Sequence, residues 1–317
     1  MVGSRHRHGG FTLLELLVVI AIVAVALGLA LAGVQRVRLA ANRTVCSNNL
    51  RELGMGYQGY RVAHDVLPPL VISNPSRLTG WAPFILPYIE QETLANQYDF
   101  TVPFYSPGNQ AVISTRLKVF QCPSAPTRSA SQDPYSVSTV NGQGVPLSWQ
   151  ASPADYTPLR AVGIVLVFSS YCSTHKATLA VTKFEGPLTP DEGTRLTDIG
   201  DGASNTILLA EIAGRPQHWQ AGRNSGDLVD LNTTSFGGWG DGSLIPTLVG
   251  SSADGTEFPG PCGINCSNAY GLYSFHNEGV NTVFVDGSVH FLHKNVSMHD
   301  VLLPLITANG GETVPDY

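Results

Sequence analysis

The chain has 317 residues, of which 43% are hydrophobic and only 13% charged, so it is long and apolar enough to bury a sizeable core. Eighteen basic side chains against 24 acidic ones leave a formal net charge of −6, a balance that gives no electrostatic basis for binding nucleic acid. The 33 glycines and 21 prolines suit many turns and short strands and exclude a simple helical bundle.

The amino terminus opens with Arg5, His6, Arg7 and His8, followed by Gly9-Gly10-Phe11-Thr12-Leu13-Leu14-Glu15. From Leu16 to Val34 run 19 residues with no charged side chain, close to the ~20 that a helix needs to cross a bilayer. A secretory signal has a shorter apolar core of roughly 7–15 residues with a small-residue cleavage site behind it. A plain membrane anchor accounts for the length but leaves Gly10-Phe11 and Glu15 unexplained, and a glutamate deep in lipid costs about 2.5–3.5 kcal/mol. Arg36, Arg38 and Arg43 follow the run as closely as Arg5 and Arg7 precede it, so the positive-inside rule does not orient the segment.

Glycine, Phe, Thr-Leu, Glu and the apolar run, in that order, resemble the type IV prepilin signal. The resemblance implies that a prepilin peptidase cuts between Gly10 and Phe11, that Phe11 is then N-methylated, and that Glu15 becomes the fifth residue of the mature chain. It also implies a single pass through the inner membrane, with contacts to inner-membrane lipid and to like or related pilin subunits, and a head in the periplasm or at the cell surface. The new α-amine of Phe11, with an ordinary pKa of about 7.7–8.0, carries a positive charge at neutral pH. In such assemblies the glutamate of one subunit neutralises the amine of its neighbour, an attraction that strengthens at the low-dielectric membrane edge. The plainer role for Glu15 is to snorkel alone to the headgroups.

Leu39, Asn42, Cys46, Leu50, Leu53, Tyr57 and Tyr60 recur at spacings of three and four, which predicts that the helix continues amphipathically, with Arg43, Arg51 and Glu52 off the stripe. Gly54, Gly56 and Gly59 each cost about 1 kcal/mol relative to Ala, so the end of this helix is expected to fray before Pro68-Pro69 stops it. Residues 1–10 thus read as a leader, 11–35 as a transmembrane and assembly helix, 36–67 as its amphipathic continuation and 68–317 as the head. Past the Pro-rich stretch at 81–90 the head reads as short elements and turns. Residues 161–168 form an apolar β-branched run that predicts a buried strand, and Ser204 to Glu211 predicts another. Residues 222–262, rich in Gly, Ser, Asp and Asn, read as a long surface loop. Val280–Val285 and Ser288–Leu292 flank Asp286-Gly287, the signature of a hairpin with a two-residue type I′ turn. Ser297-x-x-Asp300 predicts the capped start of a short helix that Asn309-Gly310-Gly311 closes.

Four motifs occur in order: Cys46-Ser47-Asn48-Asn49-Leu50 with Pro68-Pro69; Phe120-Gln121-Cys122-Pro123-Ser124; Asp201-Gly202-Ala203-Ser204-Asn205-Thr206; and Ser274-Phe275-His276 through Asp286-Gly287-Ser288-Val289. Together they resemble a bacterial family named for its domain of unknown function 1559, abundant in planctomycete-type bacteria, with a prepilin-type amino terminus and a carboxy-terminal His, nine residues, Asp-Gly signature. His276, Asp286 and Gly287 match that signature. Asn277-Glu278-Gly279 stands where the family is expected to carry Gly-Gly. The resemblance implies a pilin-like α+β fold, a long amino-terminal helix packed on a mostly antiparallel β head. It assigns no biochemical activity, although the family has also been labelled solute-binding-like.

For an exported head the five cysteines read as disulfides, with Cys262–Cys266 and Cys46–Cys122 the preferred pairs and Cys172 left over. Cys262-x3-Cys266 is also half a zinc spacing, without a second pair to complete it. His290 and His293, three apart on a strand, point to opposite faces. No cofactor is expected. Calcium is the alternative for Asp198, Asp201, Asp241 and Asp254, which all lie in Gly-rich loops, although turn formation accounts for each of them. No Gly-x-Ser-x-Gly elbow, His-Glu-x-x-His or phosphate loop is present, so no enzyme is expected. His276 reads as a buried hydrogen-bonding group and Asp286 as a turn residue. The chain therefore reads as a pilin-like subunit of a type II secretion-like or type IV pilus-like assembly. The alternative is an envelope solute- or glycan-binding module that uses the helix only as an anchor, with Trp81, Trp149, Trp219 and Trp239 as the aromatic candidates for its pocket. Mass spectrometry of the membrane protein is expected to find methylated Phe11 as the first residue; a mature protein that keeps Met1 overturns the processing.

Overall fold

The computed structural model of the chain describes residues 13–126, 128, 135–140, 146–163, 184–228, 237–242 and 246–315. It has the α+β organisation that the sequence predicts: one long amino-terminal helix, α1 (Leu13–His64), and a head of mostly antiparallel strands. The chain divides into two compact units inside α1, between Arg43 and Thr44, so the second half of the helix belongs to the head.

In the first unit every residue from Leu13 to Ala41 is exposed, and the stretch has a mean hydropathy of 3.0 over its most apolar window. Such a surface is too apolar to stand in water, and the segment is long enough to cross a membrane. In the second unit the stripe turns inward: Cys46, Leu50, Leu53 and Tyr57 are fully buried, while Arg51 and Glu52 face solvent. Leu39, expected on the same stripe, remains 49% exposed because the head begins beyond it.

The glycines do not fray the helix. A Cβ on Gly54 would stand 2.8 Å from Cγ2 of Val283, and one on Gly56 2.7 Å from Cγ2 of Ile89. The missing side chains let the neighbouring segments approach the helix backbone closely, and packing there outweighs the propensity cost. The helix runs on to His64, where Asp65 takes a left-handed conformation (φ 61°) and donates its N–H to Arg61 O at 2.8 Å.

The strands follow in chain order as β1 (Val71–Ile72), β2 (Thr79–Gly80), β3 (Tyr135–Val140), β4 (Pro146–Ala151), β5 (Tyr156–Thr157), β6 (Ala161–Val162), β7 (Ile207–Glu211), β8 (Gln217–Gln220), β9 (Arg223–Asp227), β10 (Thr247–Leu248), β11 (Gly279–Phe284) and β12 (Val289–His293). The principal sheet is antiparallel, in the order β12-β11-β7-β5. Every residue of β7 and β11 is buried, because the sheet has a core on each face. One holds α1 with Trp81, Phe120, Trp239, Leu209 and Val283; the other holds Ile207, Ala210, Phe284 and Leu292 with Met298, Leu302 and Ile306. A bulge between Val283 and Phe284 sets the faces, so that Leu208 and Leu209 both reach the helix-side core.

Several local expectations are corrected. The hairpin β11–β12 forms, but Gly287 alone in its turn has positive φ (88°), which excludes the type I′ geometry. The loop instead has three residues, Val285-Asp286-Gly287, closed by Gly287 N to Phe284 O and Phe284 N to Ser288 O, each 2.9 Å. Asp286 is held in it by its own N–H donating to Ala203 O at 3.0 Å and by accepting from Ser288 N at 2.8 Å. The described residues of 222–262 are not a surface loop: they supply β9 and β10 and bury Leu228, Trp239 and Leu248, while 229–236 and 243–245 lie outside the described residues. The Gly, Ser, Asp and Asn between the apolar residues there mask them as loop composition. Of the strand read at 161–168, β6 covers Ala161–Val162, and 164–168 lies outside the described residues. Ser297 caps Asp300 N, but Asp300 is too short to reach back to the backbone and accepts from Ser297 Oγ instead (2.7 Å). The turn it opens is π-type (Met298–Leu302) and passes into the helical turn Leu303–Ile306.

Gly56→Val is expected to lower head stability by about 1–3 kcal/mol through overpacking against Ile89, whereas Gly108→Ala, with nothing within 4 Å of the new Cβ, leaves the denaturation midpoint unchanged or higher.

Candidate functional site

The head's interior holds an unusual concentration of polar groups where α1 meets the 120–128 segment and the ends of β5 and β7. Cys46 of α1 is bonded to Cys122 across 76 residues, with Cα atoms 5.4 Å apart. Asp155, just before β5, is fully buried. Its carboxylate accepts from Cys122 N (2.8 Å), Gly214 N (3.0 Å), Arg128 Nη1 (3.2 Å) and Arg128 Nη2, so two separate segments are tied to one carboxylate. Such a charge tolerates burial only because it is both paired and hydrogen-bonded.

Glu211 closes β7 and is also fully buried. Its Oε2 accepts from Asn281 N (2.7 Å) and Asn281 Nδ2 (3.2 Å), while Oε1 lies 3.3 Å from Nε2 of His276. His276 is itself buried: Nε2 is 3.8 Å from Cys122 Sγ, and Nδ1 is 3.5 Å from Ser124 Oγ. Its backbone is pinned by Ser274 Oγ at 3.0 Å and by Asn265 Nδ2 at 3.1 Å. Tyr156 completes the group, its hydroxyl accepting from Asn49 Nδ2 at 3.3 Å. Burial drives that phenol well above its ordinary value of 10, with the Glu211 and Asp155 carboxylates pushing the same way against the Asn49 hydrogen bond and the Arg128 charge. Asn49 also donates to Gln121 O at 3.0 Å, docking α1 onto the segment that carries Cys122. A cavity of about 340 Å³ opens beside the disulfide, walled by Val45, Asn49, Arg116, Lys118 and Arg128 among others.

The structure separates His276 from Asp286 in role: the histidine joins the buried group, and the aspartate serves the hairpin turn with Gly287. Cys262 and Cys266 are bonded to each other, with Cα atoms 6.1 Å apart; Cys172 lies outside the described residues, as do Gly10 and Phe11. Glu15 sits exposed in the first turn of α1. The four aspartates considered for calcium are not gathered together. Asp201 spends its oxygens on Gly310 N (2.8 Å) and Gly311 N (2.9 Å), Asp254 accepts from Ser252 and Thr256, Asp198 accepts from Thr197 Oγ1 (3.3 Å), and Asp241 is buried beside Gly80. His290 contacts Ser288 and His293 contacts Glu278. Trp81, Trp149 and Trp239 are packed in the helix-side core, and Trp219 stands edge-on to Phe275 with ring centroids 4.9 Å apart, so the tryptophans do not line a common pocket.

Asp155, Arg128 and Tyr156 were not singled out by sequence reasoning, and Glu211 was read only as the end of a strand. The signal available was local: a lone carboxylate ending the all-apolar run Ile207–Ala210 has no business in a doubly buried strand unless something receives it.

Two family matches accompany this geometry. The family described as protein of unknown function (DUF1559) matches residues 35–299, and the prokaryotic N-terminal methylation motif matches residues 5–31. No curated protein and no solved structure matches the chain. The first match takes in the whole buried group and the second most of the apolar lead of α1. Asp155→Ala, which removes the carboxylate that Cys122 N, Gly214 N and Arg128 donate to, is expected to cost about 3–5 kcal/mol of head stability, read as a lowered denaturant midpoint at unchanged slope; an unchanged midpoint would show the charge to be dispensable.

Proposed function

Because the chain belongs to the family of unknown function DUF1559 and carries the prokaryotic N-terminal methylation motif, we propose that it is a subunit of a type II secretion-like pseudopilus or type IV pilus-like filament, with its head in the periplasm or at the cell surface. The coarser reading, an exported and membrane-anchored pilin-like protein with a structural rather than catalytic part to play, comes with the motif and the apolar helix. A prepilin peptidase and like or related subunits are the partners that follow from it.

The observation that carries the filament reading is the first unit of α1. All of its apolar side chains are exposed, from Leu13 at 81% to Val37 at 70%, and the one carboxylate among them lies at its very start. A lipid tether uses the apolar length alone and gains nothing from a glutamate. Lateral packing of sister helices uses both, since Glu15 then neutralises the amine of the neighbouring subunit's Phe11. Among the described residues no shared tryptophan pocket favours the anchored binding module, since Trp81, Trp149 and Trp239 serve the core and Trp219 packs on Phe275.

Glu15→Leu tells the two apart. In a tether the change removes a costly polar group, and membrane binding holds or strengthens. In an assembly it leaves the neighbouring amine unpaired near low dielectric, a loss of about 3–5 kcal/mol, which amounts to roughly a hundredfold or more in association. The variant is therefore expected to be processed and membrane-bound yet absent from crosslinked ladders. Ladders equal to those of the parent chain would favour the anchored module.

A further inference from the structure

Among the described residues, one ligand atom each from Cys46, Cys122, Glu211 and His276 lie within 4.8 Å of one another, and all four residues are buried. Two sulfurs, an imidazole nitrogen and a carboxylate oxygen are the donor types of a four-coordinate zinc site. The contacts around them are those that orient ligands. Glu211 turns Oε2 to Asn281, and Oε1, which no donor hydrogen-bonds, faces the cluster. His276 presents Nε2 to the same space and Nδ1 to Ser124 Oγ. A disulfide by itself calls for neither a buried carboxylate nor an imidazole at its side.

We propose that reduction of the Cys46–Cys122 bridge turns this group into a site for one zinc ion, held by Cys46, Cys122, His276 and Glu211. With a phosphine as reductant, two electrons open the S–S bond, water supplies the oxygen that ends on phosphorus, and its two protons end on the sulfurs. The thiols release those protons to solvent as they bind the ion as thiolates. On a tetrahedral ion with Zn–S bonds of about 2.3 Å the two sulfurs stand about 3.8 Å apart, so bridge and ion are mutually exclusive occupants of one pair. The site does not depend on assembly through Glu15.

The test uses the full chain in detergent, with cobalt(II) as the spectroscopic probe and a phosphine, which leaves thiolates free for the metal. The reduced protein is expected to bind one equivalent of cobalt with thiolate-to-metal charge transfer and tetrahedral d–d bands, both erased by one equivalent of zinc; the oxidised protein shows neither. The bands should persist in Cys262→Ser/Cys266→Ser and vanish in Cys46→Ser/Cys122→Ser. His276→Ala and Glu211→Gln should each weaken binding tenfold or more. Should those variants fail to fold by circular dichroism, Ser124→Ala, which removes only the hydroxyl facing Nδ1, decides the matter with an expected loss of about tenfold. Absence of the charge-transfer band in the reduced parent, its survival in Cys46→Ser/Cys122→Ser, or unchanged affinity in the folded ligand variants overturns the proposal.

Discussion

The buried carboxylate of Asp155 is the constraint around which the head is organised. Accepting from the backbone of Cys122 and Gly214 and from both terminal nitrogens of Arg128, it fixes the 120–128 segment against the turn after β7. That placement brings Cys122 to Cys46 and, through the same turn, sets Glu211 opposite His276. An ion pair in such a place adds little stability compared with apolar residues of equal volume, but losing one half of it is costly. Its contribution is to single out one arrangement of segments that are far apart in the chain.

Around that point the second half of α1 acts as the ridge of the helix-side core. Leu50, Leu53 and Tyr57 provide the apolar contacts, Asn49 and Gln58 the polar ones, the latter donating to Val285 O at 2.5 Å, and Gly54 and Gly56 the clearance. The same helix thus serves two solvents. From Leu16 to Val34 its surface is apolar all round, suited to lipid or to sister helices; beyond Thr44 it is two-faced, suited to a protein interior.

What was legible in the sequence was what local pattern controls. The apolar run, the continuing stripe, the strand at β7 and the hairpin at Asp286-Gly287 all show in periods or short motifs. The hairpin's turn type did not, because it depends on Ala203 and Thr206, some 80 residues upstream, accepting from Asp286 and Val285. The glycines of α1 read as weak points because propensity is local, whereas the value of a missing side chain depends on Val283 and Ile89, which only the fold brings near. For the same reason the buried group was hidden: His276 was visible as part of a signature, but its companions Glu211 and Cys122 lie 65 and 154 residues away. Residues 222–262 misled because Gly, Ser, Asp and Asn dominate their composition, which hides that Leu228, Trp239 and Leu248 turn inward.

The position of the Cys46–Cys122 link along α1 bears on how the protein carries load. Tension applied to the amino-terminal half travels down the helix and meets Cys46 two residues after the head begins, before it reaches Leu50, Leu53 or Tyr57. The covalent link is therefore loaded ahead of the helix's core contacts, and it passes the force sideways into the 120–128 segment and the Asp155 anchorage rather than peeling the helix out of the core turn by turn. Dispersion contacts and hydrogen bonds farther along are shielded from the pull as long as the link holds. A head fastened in this way resembles a riveted end-fitting on a cable, with the load handed from the covalent link to the Asp155 anchorage.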